Sequence, residues 1–455
     1  MTQKSEHKRL QLEEHHIYFL LMFLMVVAQF LPRFVLTESG DSQHLNGEML
    51  GFGFNQLRHS AAIVIIGWYF LTILAISLYR RKPAGFIKIY EWLKLISRQR
   101  NFLWMLLISL GSAVIFFLLR SEYLNVDGSF FAEKFARDVP AFGAHVTHDE
   151  MWELYLHSRF WLYTQHFFGW TVEFSYQVVS SLAGGIFIFF LLLYSQQLLT
   201  YRRTAFCILM LSGAYMQLFF GDIENYTLTT VLILIYYLSA ILYVKEKIPI
   251  SVPSGLLAVA MTFHLLAGFL LPSLAFLFLI ALKRKQYAQM MVGSAAFLLI
   301  ILLTLWFFNQ HNLPLRDLYY RSFAFGYGGE VRTLVRFSWN YLVERINLLS
   351  LLFPAFLILI PLTVYRRIRL EPFNLFLLSG AASMMLLFFI WESAIGIYDD
   401  WNLFANSAII LSILAWSNLL QAQLKYKTEI LITLFSISAL HTYSWILSNH
   451  FLYAS

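Results

Sequence analysis

Apolar residues along the chain fall into long unbroken runs separated by short polar breaks, not into alternating or amphipathic patterns. A membrane-crossing helix needs about 20 mostly apolar residues. Runs of that kind predict helices near 17–36, 61–79, 102–119, 176–198, 205–220, 227–244, 288–308, 343–365, 373–392, 405–420 and 428–447. The stretch 251–282 is too long for one crossing and short for two. Lys245 and Lys247 precede it, and Lys283, Arg284 and Lys285 follow it. Basic clusters mark the cytoplasmic side. The chain must therefore go out and return there, in short crossings near 252–264 and 266–282, which tend to line a cavity. The expected fold is an all-α polytopic transmembrane bundle of about 13 helices, with the N-terminus inside and the C-terminus outside.

Composition supports this class. Of 455 residues, 59% are apolar and only 13% charged, against about 25% charged in soluble proteins. Mean hydropathy is +0.63, which excludes a soluble enzyme. The start is polar and the first apolar run long, so it reads as a retained helix. The lone Cys207 excludes an intramolecular disulfide and reads as a small buried hydrophobe. Arg80-Arg81-Lys82, Arg202-Arg203, Lys283-Arg284-Lys285 and Arg366-Arg367 all fall on the inner side of the topology. Inner segments are then net positive and outer segments net negative, and shifting by one helix would invert that balance. The inner stretch 80–100, with Lys88, Lys94 and Arg98 among Ile89, Trp92, Leu93 and Ile96, reads as an amphipathic surface helix.

The chemistry lies at the outer face. Asp127 follows the third helix. Asp222, Glu224 and Asn225 form the short turn Gly221–Tyr226. His264 stands at the apex of the short pair, and Asp399 and Asp400 join two later spans. Charges at membrane depth are costly unless paired or wet, so these groups suggest a shared polar cavity. Each has a plainer reading: a solvated turn for Asp222 and Glu224, a helix N-cap for Asp399-Asp400, a turn pair for Asp127-Gly128, and a core histidine for His264. Glu122 fits an ion pair with Arg120, and Glu392 sits near the outer end of its helix. Asp149, Glu150 and Glu153 precede an aromatic patch with His157, Arg159 and His166 that reads as a surface helix.

The outer loop 309–342 concentrates Arg316, Arg321, Arg332 and Arg336 beside Tyr319, Tyr320, Tyr327 and Trp339. The planar guanidinium fork suits phosphate, while pairing with Asp317, Glu330 and Glu344 is the alternative. His-Glu-x-x-His, P-loop and Gly-x-Gly-x-x-Gly patterns are absent. A lipid-anchored sugar phosphate fits these parts. Its chain would lie in the bilayer and its phosphate against the arginines, with a carboxylate deprotonating an acceptor hydroxyl.

From residue 101 onward the layout resembles the GT-C superfamily of polyprenyl-phosphate-sugar-dependent membrane glycosyltransferases. The resemblance rests on the large acidic outer loop 120–175, the acidic turn 221–226, the short pair 251–282 and the second large outer loop 309–342. The strings Gly-Asp-Ile-Glu-Asn-Tyr and Asp-Asp-Trp-Asn-Leu-Phe are similar to those of bacterial members. The resemblance implies that Asp127 takes the place of the catalytic acid, although its site lacks the adjacent Asp-Glu pair of protein O-mannosyltransferases. Asp222 and Glu224 take the place of the second acidic motif. It also implies a GT-C-like module over 101–455 and an N-terminal two-helix extension with the inner amphipathic helix over 1–100.

Expected donor contacts are Arg321, Arg332 and Arg336. Asp222, Glu224, Asn225, His264, Asp399 and Asp400 are further substrate contacts. The expected partners are a polyprenyl-phosphate-sugar donor, a glycan, lipid or protein acceptor and the bilayer, with no nucleic acid. A divalent cation, Mg or Mn, is a possible cofactor. A prokaryotic inner membrane with the site facing outside is the expected location. The rival readings are a transporter or flippase, and an O-antigen polymerase- or ligase-like enzyme.

Overall fold

A computed structural model describes residues 2–30, 60–81, 102–122, 126–198, 202–310, 338–391 and 400–451. Long apolar runs fold as helices because, away from water, only a helix satisfies every backbone N–H and C=O within its own segment. Among the described residues, eight helices are long and apolar enough to cross a membrane, or nine if one sharply bent pair counts as a span. The protein is a multipass membrane protein, built here entirely from helices.

In chain order these are α1 (Thr2–Phe30), α2 (Ser60–Arg81), α3 (Phe102–Leu118), α4 (Val126–Phe142), α5 (Met151–Phe168), α6 (Val172–Leu198), α7 (Arg203–Leu211) and α8 (Thr227–Val244). They continue with α9 (Ser251–Phe263), α10 (Leu271–Lys283), α11 (Tyr287–Asn309), α12 (Trp339–Leu352), α13 (Leu359–Val364), α14 (Pro372–Ile390), α15 (Trp401–Gln421) and α16 (Lys427–Phe451). The short pair is present as α9 and α10, joined by a 3-10 turn over Leu265–Leu270. The outer loop after α3 holds two helices, α4 and α5.

Three of the expected spans differ. The run 205–220 is broken: α7 stops at Leu211, and a 3-10 turn spans Ala214–Phe219. Gly213 makes the break, and a Cβ there would meet the Tyr215 ring at 2.3 Å. The run 343–365 bends by 98° between α12 and the segment Phe356–Val364. Pro354 stands at this bend, where it supplies no N–H to continue α12. The first helix begins at Thr2, well ahead of the expected 17, and is described to Phe30; residues 31–36 of the expected span lie outside the described residues. The proposed surface helix 80–100 lies largely outside the described residues.

The core is α15. It is buried along its whole length and carries Asn402, Asn406 and Asn418 inside. Thr230 of α8 donates to Asn406 at 3.1 Å, which sets the first turns of α8 and α15 side by side. By contrast α2, α3 and α11 expose Phe70, Ile73, Leu103, Trp104, Leu299 and Trp306 among other large apolar side chains, as a lipid-facing surface requires.

Hydrogen bonds sort the two ends of the bundle. At one end, cations meet the C-terminal carbonyls of helices, where the helix dipole favours positive charge. Arg284 donates to Val244 O at 2.8 Å and Tyr243 O at 3.3 Å. Lys427 donates to Leu420 O and Ala422 O, both at 2.6 Å. Lys245 reaches Gln197 O and Arg202 reaches Leu420 O. At the opposite end, Ser121 N donates to Phe220 O at 2.7 Å and Glu122 N to Asn449 O at 3.1 Å. The acidic turn and α4 belong to this second end.

The N-terminal helices dock on α16. Gln29 donates to Ile437 O at 3.0 Å, Trp68 to Ser436 O at 3.0 Å, and Tyr69 to Gln29. At the basic end, Arg367 grips Glu14 through two bonds, Nε–Oε1 being 2.9 Å. Glu14 is 3% exposed, while the Arg367 side chain is 29% exposed. Glu14→Ala is expected to lower stability by about 1–2 kcal/mol, less than a fully buried pair would because water reaches the arginine. A fall in thermal midpoint by a few degrees, with Glu14→Gln in between, is the result to look for.

Candidate active site

The site grows from three pieces of chain that meet at the acidic end. The turn Gly221–Tyr226 joins the 3-10 turn to α8, and Gly221 takes φ +68°, a conformation that favours glycine. A Cβ there would also stand 2.5 Å from Arg120 Cβ. Asp222, Glu224 and Asn225 are all buried in this turn. They therefore do not sit in a solvated loop.

The second piece is the break between α9 and α10. α9 has 13 residues, so it rises about 20 Å and falls short of a full crossing. The outer loop dips to meet it: Leu265 N donates to Asp149 O at 2.8 Å. The third piece is that loop segment, Thr147 to Glu153, leading into α5. Trp152 anchors α5 on α11 by donating to Thr304 Oγ1 at 3.1 Å and stacking on Phe307 at 5.0 Å.

At their meeting point Glu150 is central. Its Oε2 accepts from Asn225 Nδ2 at 3.1 Å and from Thr147 Oγ1 at 3.4 Å. Its Oε1 faces His264 Nε2 at 3.4 Å. Tyr176 of α6 donates to Asn225 Oδ1 at 3.1 Å. The Tyr226 ring stacks on His264 at 4.8 Å, and His157 stacks on Tyr176 at 3.8 Å. Burial pushes the Glu150 carboxyl above the usual carboxylate range; His264 acts against that, while Asp149 and Glu153 add to it.

Glu153, one turn into α5, is fully buried and has a different task. It accepts from Leu228 N at 2.9 Å, Thr229 N at 3.0 Å and Thr229 Oγ1 at 2.9 Å, with Thr227 Oγ1 at 3.5 Å. It thus caps the N-terminus of α8 from another helix, with its negative charge where the dipole favours it. α5 is therefore not a helix lying loose on the surface but one keyed into the bundle.

The sequence-derived candidates divide into three groups. Asn225 and His264 are brought together, through Glu150. Asp222 and Glu224 share the buried turn with Asn225. Asp400 is buried at the N-cap position of α15, and the Thr230–Asn406 bond puts that end of α15 beside the start of α8. Asp127 is the second residue of α4, at the same end, and its side chain lies outside the described residues. Arg321, Arg332, Arg336, Asp399, Arg316 and Glu392 also lie outside them. Glu122 pairs with Arg120 at 3.5 Å. Among the described residues no group of three or more His, Cys, Asp and Glu side chains is placed to hold a metal ion. Glu150 and its seat against His264 were not singled out by sequence. The one signal was the adjacent pair Asp149-Glu150, which stands in the first outer loop some twenty residues after Asp127.

The bundle has an ArnT-like GT-C fold. No family model matches the sequence, and no curated protein matches it significantly; the likeness is one of architecture. It is similar to the crystal structure of ArnT from Cupriavidus metallidurans bound to undecaprenyl phosphate, with a TM-score of 0.53, 9% identity and coverage of 76% of each chain. The apo state of the same ArnT gives a TM-score of 0.50, again at 9% identity and 76% coverage of both chains.

Proposed function

We propose that the chain is a membrane glycosyltransferase that moves a sugar from a polyprenyl-phosphate-linked donor to an acceptor hydroxyl. The observation that carries this reading is the buried acid–imidazole–amide cluster at the end of the bundle remote from the basic helix ends, within a GT-C fold. A neighbour of that fold is solved with undecaprenyl phosphate, which supports a lipid phosphate as the carrier here. By the positive-inside rule the basic end faces the cytoplasm, so the cluster opens to the outer face, where nucleotide sugars are lacking.

In the reaction proposed, a first-loop carboxylate accepts the proton of the acceptor hydroxyl as its oxygen attacks the anomeric carbon. The sugar–phosphate C–O bond breaks, and its electrons leave with the polyprenyl phosphate. The superfamily resemblance points to Asp127 as that carboxylate. Arg321, Arg332 and Arg336 are proposed to hold the phosphate and stabilise the charge it gains. Asp222, Glu224 and Asp400 line the same end, with Asp399 next to the last, and are proposed to bind sugar or acceptor hydroxyls.

The test uses purified full-length protein in lipid nanodiscs with a panel of synthetic undecaprenyl-phosphate hexoses and pentoses. Release of undecaprenyl phosphate from at least one donor is expected, and Arg321→Ala with Arg336→Ala should raise the donor KM about tenfold or more, the loss of a charged hydrogen bond. Movement of the lipid across proteoliposomes with no chemical turnover would establish a flippase in its place.

A further inference from the structure

Glu150 and His264 face each other across a long polar contact. Leu266 N donates to His264 Nδ1 at 3.0 Å, so Nδ1 is the acceptor and the ring proton sits on Nε2. That Nε2–H faces Glu150 Oε1 at 3.4 Å, a contact that pairs the two groups but is too long and too poorly aligned to be a full hydrogen bond. His264 is 6% exposed, so water does not freely supply a better acceptor. A buried donor held on so weak a contact keeps capacity for a stronger acceptor. The Glu150 side chain keeps 13% of its surface open, which leaves an approach. An oxygen set to one side of the pair, at the apex of a triangle with the two atoms, can lie about 2.8–3.0 Å from both, normal hydrogen-bond lengths.

We infer that the acceptor hydroxyl bridges these two groups, with His264 Nε2–H donating to its oxygen and Glu150 Oε1 receiving its proton. The inference rests on the sugar-transfer reading and moves the base from Asp127 to Glu150. The step balances: the O–H proton passes to Glu150, the oxygen lone pair forms the new bond to the anomeric carbon, and the old C–O electron pair leaves on the phosphate. The proton is then lost from Glu150 to solvent.

The surroundings suit the task. Asn225 and Thr147 hold Oε2, so Oε1 is the oxygen left to act. Tyr176 fixes Asn225, and Tyr226 fixes the His264 ring plane. His264 is thus a positioning residue for the base as well as a contact of the acceptor. The groups that set the charge balance at Glu150 are Asp149 and Glu153 from its own segment and His264 from the α9–α10 break; Glu224 and Glu150 both act on the neighbouring Tyr176. Burial raises the Glu150 carboxyl, which places a base closer to neutral pH.

Transfer is measured with the undecaprenyl-phosphate sugar that the wild type turns over, with water and octyl glucoside as hydroxyl acceptors. Glu150→Gln is expected to lower kcat by about 100-fold or more while leaving donor KM near that of the wild type. The acid limb of kcat/KM should fall above the free glutamate range of about 4.3. Removing His264 as Ala takes away the group that opposes the upward shift, so the limb should move to higher pH and the acceptor KM should rise. His264→Gln, which restores an N–H, should recover part of both. If Glu150→Gln fails to fold, Glu150→Asp gives the same reading through a kcat loss at constant donor KM. Turnover within a fewfold of wild type in a folded Glu150 variant, or an acid limb unmoved in His264→Ala, overturns the assignment and returns the base to Asp127. A wild type inert on every donor removes the sugar-transfer reading, and this inference with it.

Discussion

Gly185→Leu is expected to be among the most damaging single substitutions in the bundle, with loss of well over 3 kcal/mol and little monodisperse protein recovered. Gly184 and Gly185 face α3 from the middle of α6, where the two helices lie unusually close. A Cβ on Gly185 would stand 2.9 Å from Ala113 Cβ and 2.9 Å from the Ser109 backbone oxygen. One on Gly184 would stand 2.5 Å from the Phe116 ring and 2.6 Å from Phe219 Cβ. Lipid tails are as apolar as leucine, so helices in a bilayer gain from close backbone packing and not from hiding apolar surface. At Gly185 the obstacle is backbone, which no rotamer change relieves; the helices must part. Overpacking of even one or two methylenes costs about 1–3 kcal/mol, and leucine adds more. Parting α3 from α6 also pulls on Gln177, which donates to Ser121 O at 3.0 Å, and so on the strand of chain leading to α4. Gly111 on α3 meets no described atom within 4 Å at its Cβ position, so Gly111→Leu is the control. Fluorescence-detected size exclusion and a thermal scan should show Gly185→Leu aggregated or shifted far down and Gly111→Leu near wild type.

That contact shows where sequence reading reaches and where it stops. The apolar runs at 61–79, 176–198, 227–244, 373–392 and 428–447 became helices because backbone satisfaction in lipid allows nothing else. The short pair was legible because Lys245 and Lys247 on one side and Lys283 to Lys285 on the other fixed both ends to one face. Hydropathy could not see the break at 205–220, since the run stays apolar through Gly213 and only the Tyr215 ring decides the path. Pro354 was visible in the sequence, but a proline in a membrane helix kinks it by an amount that packing sets. Gly184-Gly185 was equally visible, yet its partner surface, Ser109 and Ala113, lies on another helix.

The site was legible in part for the same reason. The turn Gly221–Tyr226 stands out because two acids between two apolar runs have nowhere cheap to go. Glu150 hides, because an acid just before a helix looks like ordinary first-turn chemistry. Its meaning comes from Asn225 and His264, which are distant in sequence and near only once α5 is folded down over the α9–α10 break. The adjacent Asp149-Glu150 pair is what a search confined to the Asp127 position passes over.

Glu153→Ala should be nearly as harmful to stability as Gly185→Leu, and harmful to activity by a separate route. The Glu153 carboxylate holds the backbone N–H groups of Leu228 and Thr229 and the Thr229 hydroxyl. These are the first-turn donors of α8, which have no partner inside their own helix. Truncation leaves them buried and unsatisfied, at about 1–3 kcal/mol each in the least favourable case. A total near 3–5 kcal/mol matches other losses of one partner from a buried charged network. Glu153→Gln keeps the shape and an acceptor oxygen but gives up the charge opposite the helix dipole, so about 1–2 kcal/mol is expected. The turn Gly221–Tyr226 feeds directly into this capped helix end. Loosening it lets Asn225 drift from Glu150, so turnover of the undecaprenyl-phosphate donor should fall even in a Gln variant that remains folded. Thermal midpoints of the two variants, read against their donor turnover, separate the two routes. If Glu153→Ala melts within a degree or two of wild type, the cap contributes little and the start of α8 is held by its packing against α6 and α9.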